Sequence, residues 1–522
     1  MDDLRWPEPG SAAELAAYEQ LQAGARELYL RLSTYPRTPQ TVVVVPSLSL
    51  DQRELDKIAG VPHYEERMLV NLMLLKQPRT KVVFVTSQAI HPIIVDYYLS
   101  MLPGVPPAHA RRRLTLLHCS DGSNAPLTAK ILARPRLLDQ IRGEIIDAHA
   151  AHLVCFNSTD RERTLAVRLG IPLNSVDPSL HDLGTKSGCR EIFREAGVRF
   201  PPGFERLGGV DDVARALAAL QRANPHLRKA VVKLNEGFSG EGNATIRTAA
   251  WDASGSEAEV ARRIADVLPT ALTFESPHET WEGYAAKFSE MGGVVEAWVE
   301  GATASPSAQC RVNAMGLPQV ISTHDQVLGG PTGQVFLGAR FPAADAYRLT
   351  IQRDAAHIAS VLADRGVIGR FGIDFVSVPT PDGGWEHHAI EVNLRKGGTT
   401  HPFLTLKFLT DGTYDPEDGL FYSQSGRAKY YLASDNLVSE RYVGLRPEDL
   451  MDIAVFHGLH FHGASERGVV FHLIGALSQH GKLGIVAIGD NPAQANFLYQ
   501  QCLEVLDEET GPRRGRPGSA TG

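Results

Sequence analysis

The stretch "VVKLNEGFSGEGNATIRT" (231–248) ends a short apolar run in a lysine, follows it with an acidic loop holding three glycines, and closes on a second strand-like run. A P-loop would place its lysine after the glycines, between a strand and a helix. Here the lysine comes first, and both flanks, "KAVVKLN" and "NATIRT", read as strands. The segment is therefore a strand–loop–strand hairpin with a lid at its tip. Gly237, Gly240 and Gly242 permit positive φ and close approach, so their N–H groups can cradle an anion. Lys233, on the first strand, adds a point charge suited to a phosphate. A solvated hairpin with a snorkelling lysine is the plain alternative, and for an isolated glycine-rich loop it is the commoner case.

A second pattern shifts that balance. "GRFGIDFVSV" (369–378) is followed by "AIEVNLRKGGTTHPF" (389–403). Glu391 and Asn393 stand two apart, so on a strand they face one side. Carboxylates buried on a sheet are costly unless paired or bound to metal. Asp374, Glu391 and Asn393 make an oxygen-rich set that suits Mg²⁺, which takes one or two carboxylates together with phosphates and waters. An edge sheet with these side chains in solvent is the competing reading. Arg395 and Lys396 then set cations beside the acids, Gly397 and Gly398 let the backbone approach a ligand, and Thr399, Thr400 and His401 offer hydrogen bonds. Such a loop fits phosphoryl transfer or an acyl phosphate.

The 522-residue chain is too long for one ordinary core. Its composition is that of a globular protein, 43% hydrophobic and 21% charged. A net charge of −8 gives no sign of a nucleic-acid or acidic-membrane partner. The longest apolar runs are strand-length, and the acidic start "MDDLRWPEPGS" lacks the pattern of a secretion signal, so a cytoplasmic protein is expected. Cys119, Cys155, Cys189, Cys310 and Cys502 are isolated and read as reduced, mostly buried thiols. Over 40–180, strand-like runs at 41–46, 81–87, 113–118 and 151–157 alternate with helical stretches at 65–76 and 130–150, which predicts a parallel α/β layer. The middle region opens near "GTKSGCREIFREAGV" (184–198), with Ser187 as expected N-cap and Gly197 as C-cap. It continues through strands at 293–301 and 387–393 and a long helix over 343–366. The last region, 406–510, reads as a smaller α/β unit with apolar runs at 468–477 and 482–489. A tail at 511–522 is expected to be disordered.

With these residues in order, the middle region resembles the ATP-grasp superfamily. Lys186 opens its first helix, Lys233 and the glycine loop follow, "VEAWVEG" resembles the strand that takes the adenine, and "EVNLRKGGTTH" resembles the closing motif. Across most of 40–505, "PSLSLDQRELDKIAGVPHYEERML" (46–69), "STHDQVLGGPTGQVFLGARFPA" (322–343) and "GVVFHLIGALSQHGKLG" (468–484) further resemble the pheganomycin peptide ligase family. The resemblance implies an α/β chain of three parts: a Rossmann-like pre-ATP-grasp domain (1–183), an ATP-grasp core (184–405) and a small family-specific α/β domain (406–510). It implies an ATP-dependent carboxylate–amine ligase that forms an acyl phosphate from a small-molecule acid and passes it to an amine of an amino acid or peptide. By the same resemblance Lys186, Lys233 and the loop residues Gly237, Ser239, Gly240 and Gly242 contact ATP. Glu296, with the backbone around Trp298 and Val299, holds the adenine, and Asp374, Glu391 and Asn393 hold Mg²⁺. Eight positions after Glu296, where the superfamily often keeps an acid for the ribose, stands Ala304, so the ribose contact either comes from elsewhere, Glu300 being one candidate, or is weak. A homodimer is common in the superfamily and is one expectation here.

Further candidates rest on less. His324 and Asp325 can orient the amine or take its proton, or Asp325 can simply hold a loop. Arg311 and Arg340 can bind the acid or the transferring phosphate, or form surface ion pairs. His457, His460 and His462 have ligand-like spacing but lack a cysteine or carboxylate partner, and the plain reading prevails. Other acyl-phosphate-forming enzymes of this core, CoA ligases or carboxylases, and a non-catalytic nucleotide-binding regulator remain the alternatives. Intact Lys186, Lys233, Asp374, Glu391 and Asn393 weigh against the last.

Overall fold

In a computed structural model the described residues are 6–35, 37–50, 52–56, 58–237, 242–248, 251, 254–276, 278–329 and 335–511. Ser239 and Gly240 lie outside them, as does nearly all of the expected tail. The parallel layer is present as β1 (Gln40–Val45), β2 (Thr80–Thr86), β3 (Leu114–His118) and β4 (Ala151–Cys155), in the order β3-β2-β1-β4. Val42 to Val45 are buried on both faces, which is why the sequence there is apolar without alternation. The stretch expected as one helix over 130–150 is broken into Leu127–Leu132 and Pro135–Gly143. Pro135 cannot continue the hydrogen-bond ladder and forces Arg134 out of the helical region. The 65–76 stretch winds more tightly than expected, as a 3₁₀ helix over Val61–Lys76. Its successive residues Glu65, Glu66 and Arg67 point in different directions and hold Ser87, Gly475 and Asp435 respectively.

The opening hairpin lies in an antiparallel sheet of β5 (Gly203–Leu207), β6 (Lys229–Leu234), β7 (Asn243–Arg247), β8 (Thr273–Phe274) and β9 (Gly293–Ala297), ordered β5-β9-β6-β7-β8. Strands β6 and β7 pair from Lys229↔Arg247 to Lys233↔Asn243. Positive φ is not what Gly237 and Gly242 supply, because neither adopts it. They are pressed together instead: a Cβ on Gly237 would sit 3.3 Å from the Gly242 Cα. Close approach therefore demands glycine at this neck.

The largest sheet is antiparallel. It contains β10 (Pro306–Val312), β11 (Pro318–Gly329), β12 (Val335–Phe341), β13 (Gly369–Pro379) and β14 (Trp385–Asn393). A short hairpin, β15 (Thr413–Asp415) and β16 (Leu420–Tyr422), lies outside it, and β17 (Tyr430–Val438), β18 (Gly468–His472) and β19 (Lys482–Gly489) complete it. The order is β14-β13-β10-β11-β12-β17-β19-β18. The last three strands thus extend the central sheet through β12–β17 pairing, Ala339↔Ala433, and do not form a sheet of their own. The helix Arg348–Asp364 covers one face through Ile351, Ala355, Ile358 and Leu362. The helix Thr400–Thr410 covers the other, and its Phe403 and Leu406 share one core with Val44, Phe84 and Leu69 of the first layer and Phe471 and Ile485 of the last strands. Among the described residues no helix is long and apolar enough to cross a membrane.

A helix over Lys186–Glu195 joins the two antiparallel sheets. Its N-cap is Thr185, whose hydroxyl accepts from the Gly188 N–H at 3.0 Å; Ser187 was expected there, but its hydroxyl accepts from Arg206 N at 3.0 Å. Gly197, at φ 66°, ends the segment as expected. A Cβ on Gly188 would lie 2.0 Å from the Asp182 carbonyl oxygen, a backbone contact that cannot yield cheaply. Gly188→Ala is expected to cost about 1–3 kcal/mol and to misplace Lys186, read as a lower denaturation midpoint in urea and weaker nucleotide binding by calorimetry.

Candidate active site

Glu391, Asp374, Ser307 and His324 form one cross-strand row over β14, β13, β10 and β11. The register of β13 on β14 skips after Asp374, with Asp374 opposite Glu391 and Phe375 opposite Ala389. Such bulges re-aim side chains beside functional sites. Asp374 Oδ1 accepts from Gln326 Nε2 at 2.6 Å and Oδ2 from Asn393 Nδ2 at 2.9 Å, which leaves the side-chain oxygen Oδ1 of Asn393 for another partner. Lys186 Nζ stands 2.5 Å from Glu391 Oε1. Burial alone would raise Glu391, but Lys186 holds it below the usual carboxylate range. Asp374 is pushed up to about 7 by burial and by the neighbouring Glu391 charge. The pair is thus short of positive charge, a deficit that a divalent cation would meet. Among the described residues no three His, Cys, Asp or Glu side chains gather as a metal set. Two carboxylates and an amide oxygen are the sparse set that suits Mg²⁺ sharing its shell with phosphate and water.

Across the cleft, Lys233 Nζ lies 2.7 Å from Glu296 Oε2, and Arg190 Nη1 donates to Glu296 Oε1 at 2.6 Å. All three side chains are buried. Burial opposes the Glu296 charge, yet Lys233 and Arg190 keep it below its ordinary range. Glu296 Oε1 is therefore hydrogen-bonded to Arg190, while Oε2, ion-paired with Lys233, is a buried oxygen without a hydrogen-bond partner among the described residues. The edge beside it remains available. The Trp298 N–H donates to the Lys229 carbonyl at 3.0 Å, the Lys229 ammonium sits 3.6 Å over the Trp298 ring, and the Val299 N–H has no partner among the described residues. Ala304 is tied by backbone hydrogen bonds to Ser377, and Glu300 is exposed in the turn.

The "RKGGTTH" loop divides. Arg395 is half-buried and feels the charges of Glu391 and Asp374. Lys396 turns away: its Nζ donates to the Cys155 carbonyl at 2.5 Å and its N–H to Phe156 O, so it clamps the first layer and does not face a phosphate. Gly397 N donates to Thr400 Oγ1 at 3.0 Å, and Thr400 Oγ1 donates to Gln309 Oε1 at 3.1 Å. A Cβ on Gly398 would meet the Phe336 ring at 2.6 Å. His401 Nε2 meets His472 Nε2 at 2.8 Å in a buried pair, and burial holds both rings far below the ordinary histidine range. The Thr400 and His401 side chains are thus structural. The N–H groups of Gly398 and Thr399, which have no partner among the described residues, stand at the start of the Thr400–Thr410 helix, an arrangement that suits an anion.

Several candidates fall elsewhere. His324 is fully buried, with Nε2 2.7 Å from Tyr431 Oη and its ring against the stacked Phe341 and Tyr431 rings; burial lowers it to about 3, so it is no base at neutral pH. Asp325 points to the opposite face, accepting from Ala344 N at 3.0 Å and Tyr347 Oη at 2.7 Å, and so holds a loop. Arg340 is exposed opposite Asp325 on that same face. Arg311 lies at the far end of β10, donating to Gln319 Oε1 at 2.9 Å. In turn, sequence reasoning missed Arg190 and Arg67. Arg190 stands four residues after Lys186, a spacing that puts both on one helical face. Arg67, a buried cation within an apolar run, pairs with Asp435 at 3.1 Å and stacks on Tyr64 and Phe156.

Comparisons agree with this architecture. The family described as "IQCH-like, ATP-grasp" matches residues 178–250 and 245–417, and the "PGM1 C-terminal domain" matches 449–502. L-propargylglycine--L-glutamate ligase of Streptantibioticus cattleyicolor is 30% identical over 481 residues, covering 90% of this chain and 94% of that protein. IQ motif-containing protein H of Danio rerio is 21% identical over 95% of this chain, which spans 51% of that protein. Among solved structures, Campylobacter jejuni biotin carboxylase in its beta-gamma-ATP complex has a TM-score of 0.52 at 12% identity, covering 90% of this chain and 92% of that one. The biotin carboxylase domain dimer of Hydrogenobacter thermophilus 2-oxoglutarate carboxylase, with ADP, its magnesium salt and bicarbonate, has a TM-score of 0.52 at 13% identity, covering 89% of each chain. At such identities these two share the fold alone. The fold is that of the ATP-grasp enzymes. Within them the chain belongs to the pheganomycin-type peptide ligase family, and it is an ATP-dependent ligase that joins a carboxylate to an amine.

The buried His324 supplies a check on its structural role. Its ordinary value is 6.5 and its folded value about 3, so on acidification the unfolded chain takes up a proton that the folded chain refuses. Stability from this group is complete above about pH 6.5 and falls below it, by about 1.4 kcal/mol for each pH unit until the folded value is reached. His324→Phe is expected to retain ADP formation and to lose less stability than the parent between about pH 6.5 and 5, measured by urea denaturation across that range.

Proposed function

We propose that this chain activates an amino-acid carboxylate as its acyl phosphate and transfers the acyl group to the amine of a second amino acid or short peptide, releasing ADP and phosphate. The observation that carries this reading is the meeting of Lys186, Asp374, Glu391 and Asn393 in one cleft facing the Lys233 hairpin. A relative named as a ligase of L-propargylglycine and L-glutamate supports amino acids as the substrate class. In this reading the adenine lies against the Trp298–Val299 edge and the phosphates pass under the Gly237–Gly242 neck. Lys233 and Lys186, each resting on a glutamate in the free protein, then share their charge with phosphate oxygens. Asp374, Glu391 and Asn393 would hold Mg²⁺, which supplies charge neutralisation across the transferring phosphate. Residues 1–183, 184–405 and 406–510 serve as the parts of the chain in this scheme.

The acid's carboxylate oxygen attacks the γ-phosphorus and ADP departs. Arg395 and the N–H groups of Gly398 and Thr399 are placed to receive the charge of the acyl phosphate. The amine then attacks the carbonyl carbon, loses a proton, and expels phosphate. Exclusion of water by the hairpin protects the acyl phosphate from hydrolysis.

The test is ADP release with Mg²⁺ and ATP across amino acids and short peptides, singly and in pairs, with mass spectrometry of the products. ADP formed only with a pair, together with a mass equal to the sum less water, is expected. ADP without a condensed product overturns the amine acceptor. With the active pair, Glu391→Gln is expected to lower kcat by about 10²-fold or more with an unchanged circular-dichroism spectrum; retained turnover would remove Glu391 from the site.

A further inference from the structure

A cleft of about 440 Å³ opens at the end of the large sheet remote from the carboxylates. It wraps the edge of β11, whose residues 318–322 pair with β10 on one side only, because β12 joins β11 from Asp325 onward. The helix Arg348–Asp364 walls one face with Leu349 and Gln352, and the helix Thr400–Thr410 walls the other with Phe403 and Lys407. The rim is pinned: Tyr414 Oη donates to Gln352 Oε1 at 2.5 Å and Gln352 Nε2 donates to Pro416 O at 2.7 Å.

The cleft is lined by cations and by no carboxylate. Arg311 and Arg370 stand directly opposite each other on β10 and β13, an arrangement that like charges disfavour. Lys407 is the exposed residue of an otherwise buried or half-buried helix, and it faces them. Among the described residues neither Arg370 nor Lys407 has an ion-pair or hydrogen-bond partner. Arg311 bonds only the neutral Gln319, and its buried Nε has no partner. Burial, and then the Arg311 charge, push Arg370 down to about 10; burial and the two arginines also hold Lys407 below the ordinary lysine range. Of the four lining cations, Arg353 stands 3.4 Å from Asp354; the other three, gathered without a counter-charge, weaken the fold unless an anion from solution completes them. The volume is that of a small-molecule site, and Phe403, Leu349 and Ile321 beside Gln352 and Tyr414 suit an organic body with polar substituents.

We propose that this cleft is a second ligand site, separate from the ligation centre, that takes a small organic polyanion: a di- or tricarboxylate or a phosphate monoester. Arg370 precedes Asp374 by four residues on β13, roughly 13 Å along the strand, and the buried Thr400–Gln309 hydrogen bond lies between them. One helix serves both places, with Thr399 and Thr400 at the catalytic end and Lys407 in the cleft. Occupancy of the cleft is thereby linked to the position of that helix's N-terminus.

The experiment is calorimetric titration of the full chain with citrate, and separately with glycerol 3-phosphate and inorganic phosphate, at low salt and with saturating Mg²⁺ and ADP filling the nucleotide site. Citrate or glycerol 3-phosphate is expected to bind more tightly than inorganic phosphate, and added sodium chloride is expected to weaken the binding. Preference for citrate marks a polycarboxylate, and preference for glycerol 3-phosphate a phosphate ester. Arg370→Gln and Lys407→Met are each expected to weaken binding at least about tenfold while leaving the ligand-free melting temperature equal or higher, since each relieves repulsion. Absence of binding by either organic anion, inorganic phosphate binding as tightly as both, or unchanged affinity in both variants would overturn the proposal.

Discussion

Two glutamates on different sheets, one buried and one half-buried, are neutralised from one short helix, and the cleft exists because of it. Lys186 reaches Glu391 on the eight-stranded sheet, and Arg190, one turn later, reaches Glu296 on the five-stranded sheet. Residues four apart share a helical face, so a single rigid element spans the gap. Its placement is secured by the Thr185 cap, by the Gly188 contact with the Asp182 carbonyl, and by the Val392 N–H donating to Cys189 Sγ at 3.2 Å. Removing one member of the buried Arg190–Glu296 pair strands the other charge at a cost of about 3–5 kcal/mol. The two sheets therefore cannot drift apart without exposing unpaired carboxylates.

The same charges that hold the cleft are the ones a nucleotide would use. Lys186 and Lys233 rest on carboxylates, so in the proposed reading a triphosphate entering between them would find cations already oriented and largely desolvated. Pre-positioned charge in a partly dry cleft acts more strongly than the same charge in water. Glu296 illustrates the division of labour. Pinned by Arg190, it holds the Lys233 ammonium over the cleft and leaves the Val299 N–H on the neighbouring edge to face a ligand.

The first layer is fastened to this assembly by polar struts laid over a common apolar core. Arg67 pairs with Asp435, Lys482 Nζ donates to Tyr64 Oη at 2.6 Å, Glu66 accepts from Gly475 N at 3.0 Å, and Lys396 reaches the end of β4. These partners come from regions far apart in sequence. Each buried polar group is satisfied only when the layers are docked, which gives the interface one orientation where apolar packing alone would tolerate several.

Much of this was legible in the chain itself. Continuous valine runs mark buried parallel strands, a lysine placed before its glycines marks a hairpin and not a P-loop, and Glu391 and Asn393 at strand spacing mark one face of a sheet. Those patterns are local, because backbone periodicity decides which side chains share a face. What needed the tertiary structure was the partner of each charge. Nothing within "STHDQV" tells that His324 packs under Tyr431 while Gln326 bonds Asp374, since both point to the same face and differ only in what lies above them. Nor could "RKGG" reveal that Arg395 faces the acids and Lys396 the first layer. The residue types and their facing directions follow from the sequence alone; the docking of three layers decided which of them are buried in pairs and which are left open to a ligand, because burial and charge pairing depend on neighbours hundreds of residues away.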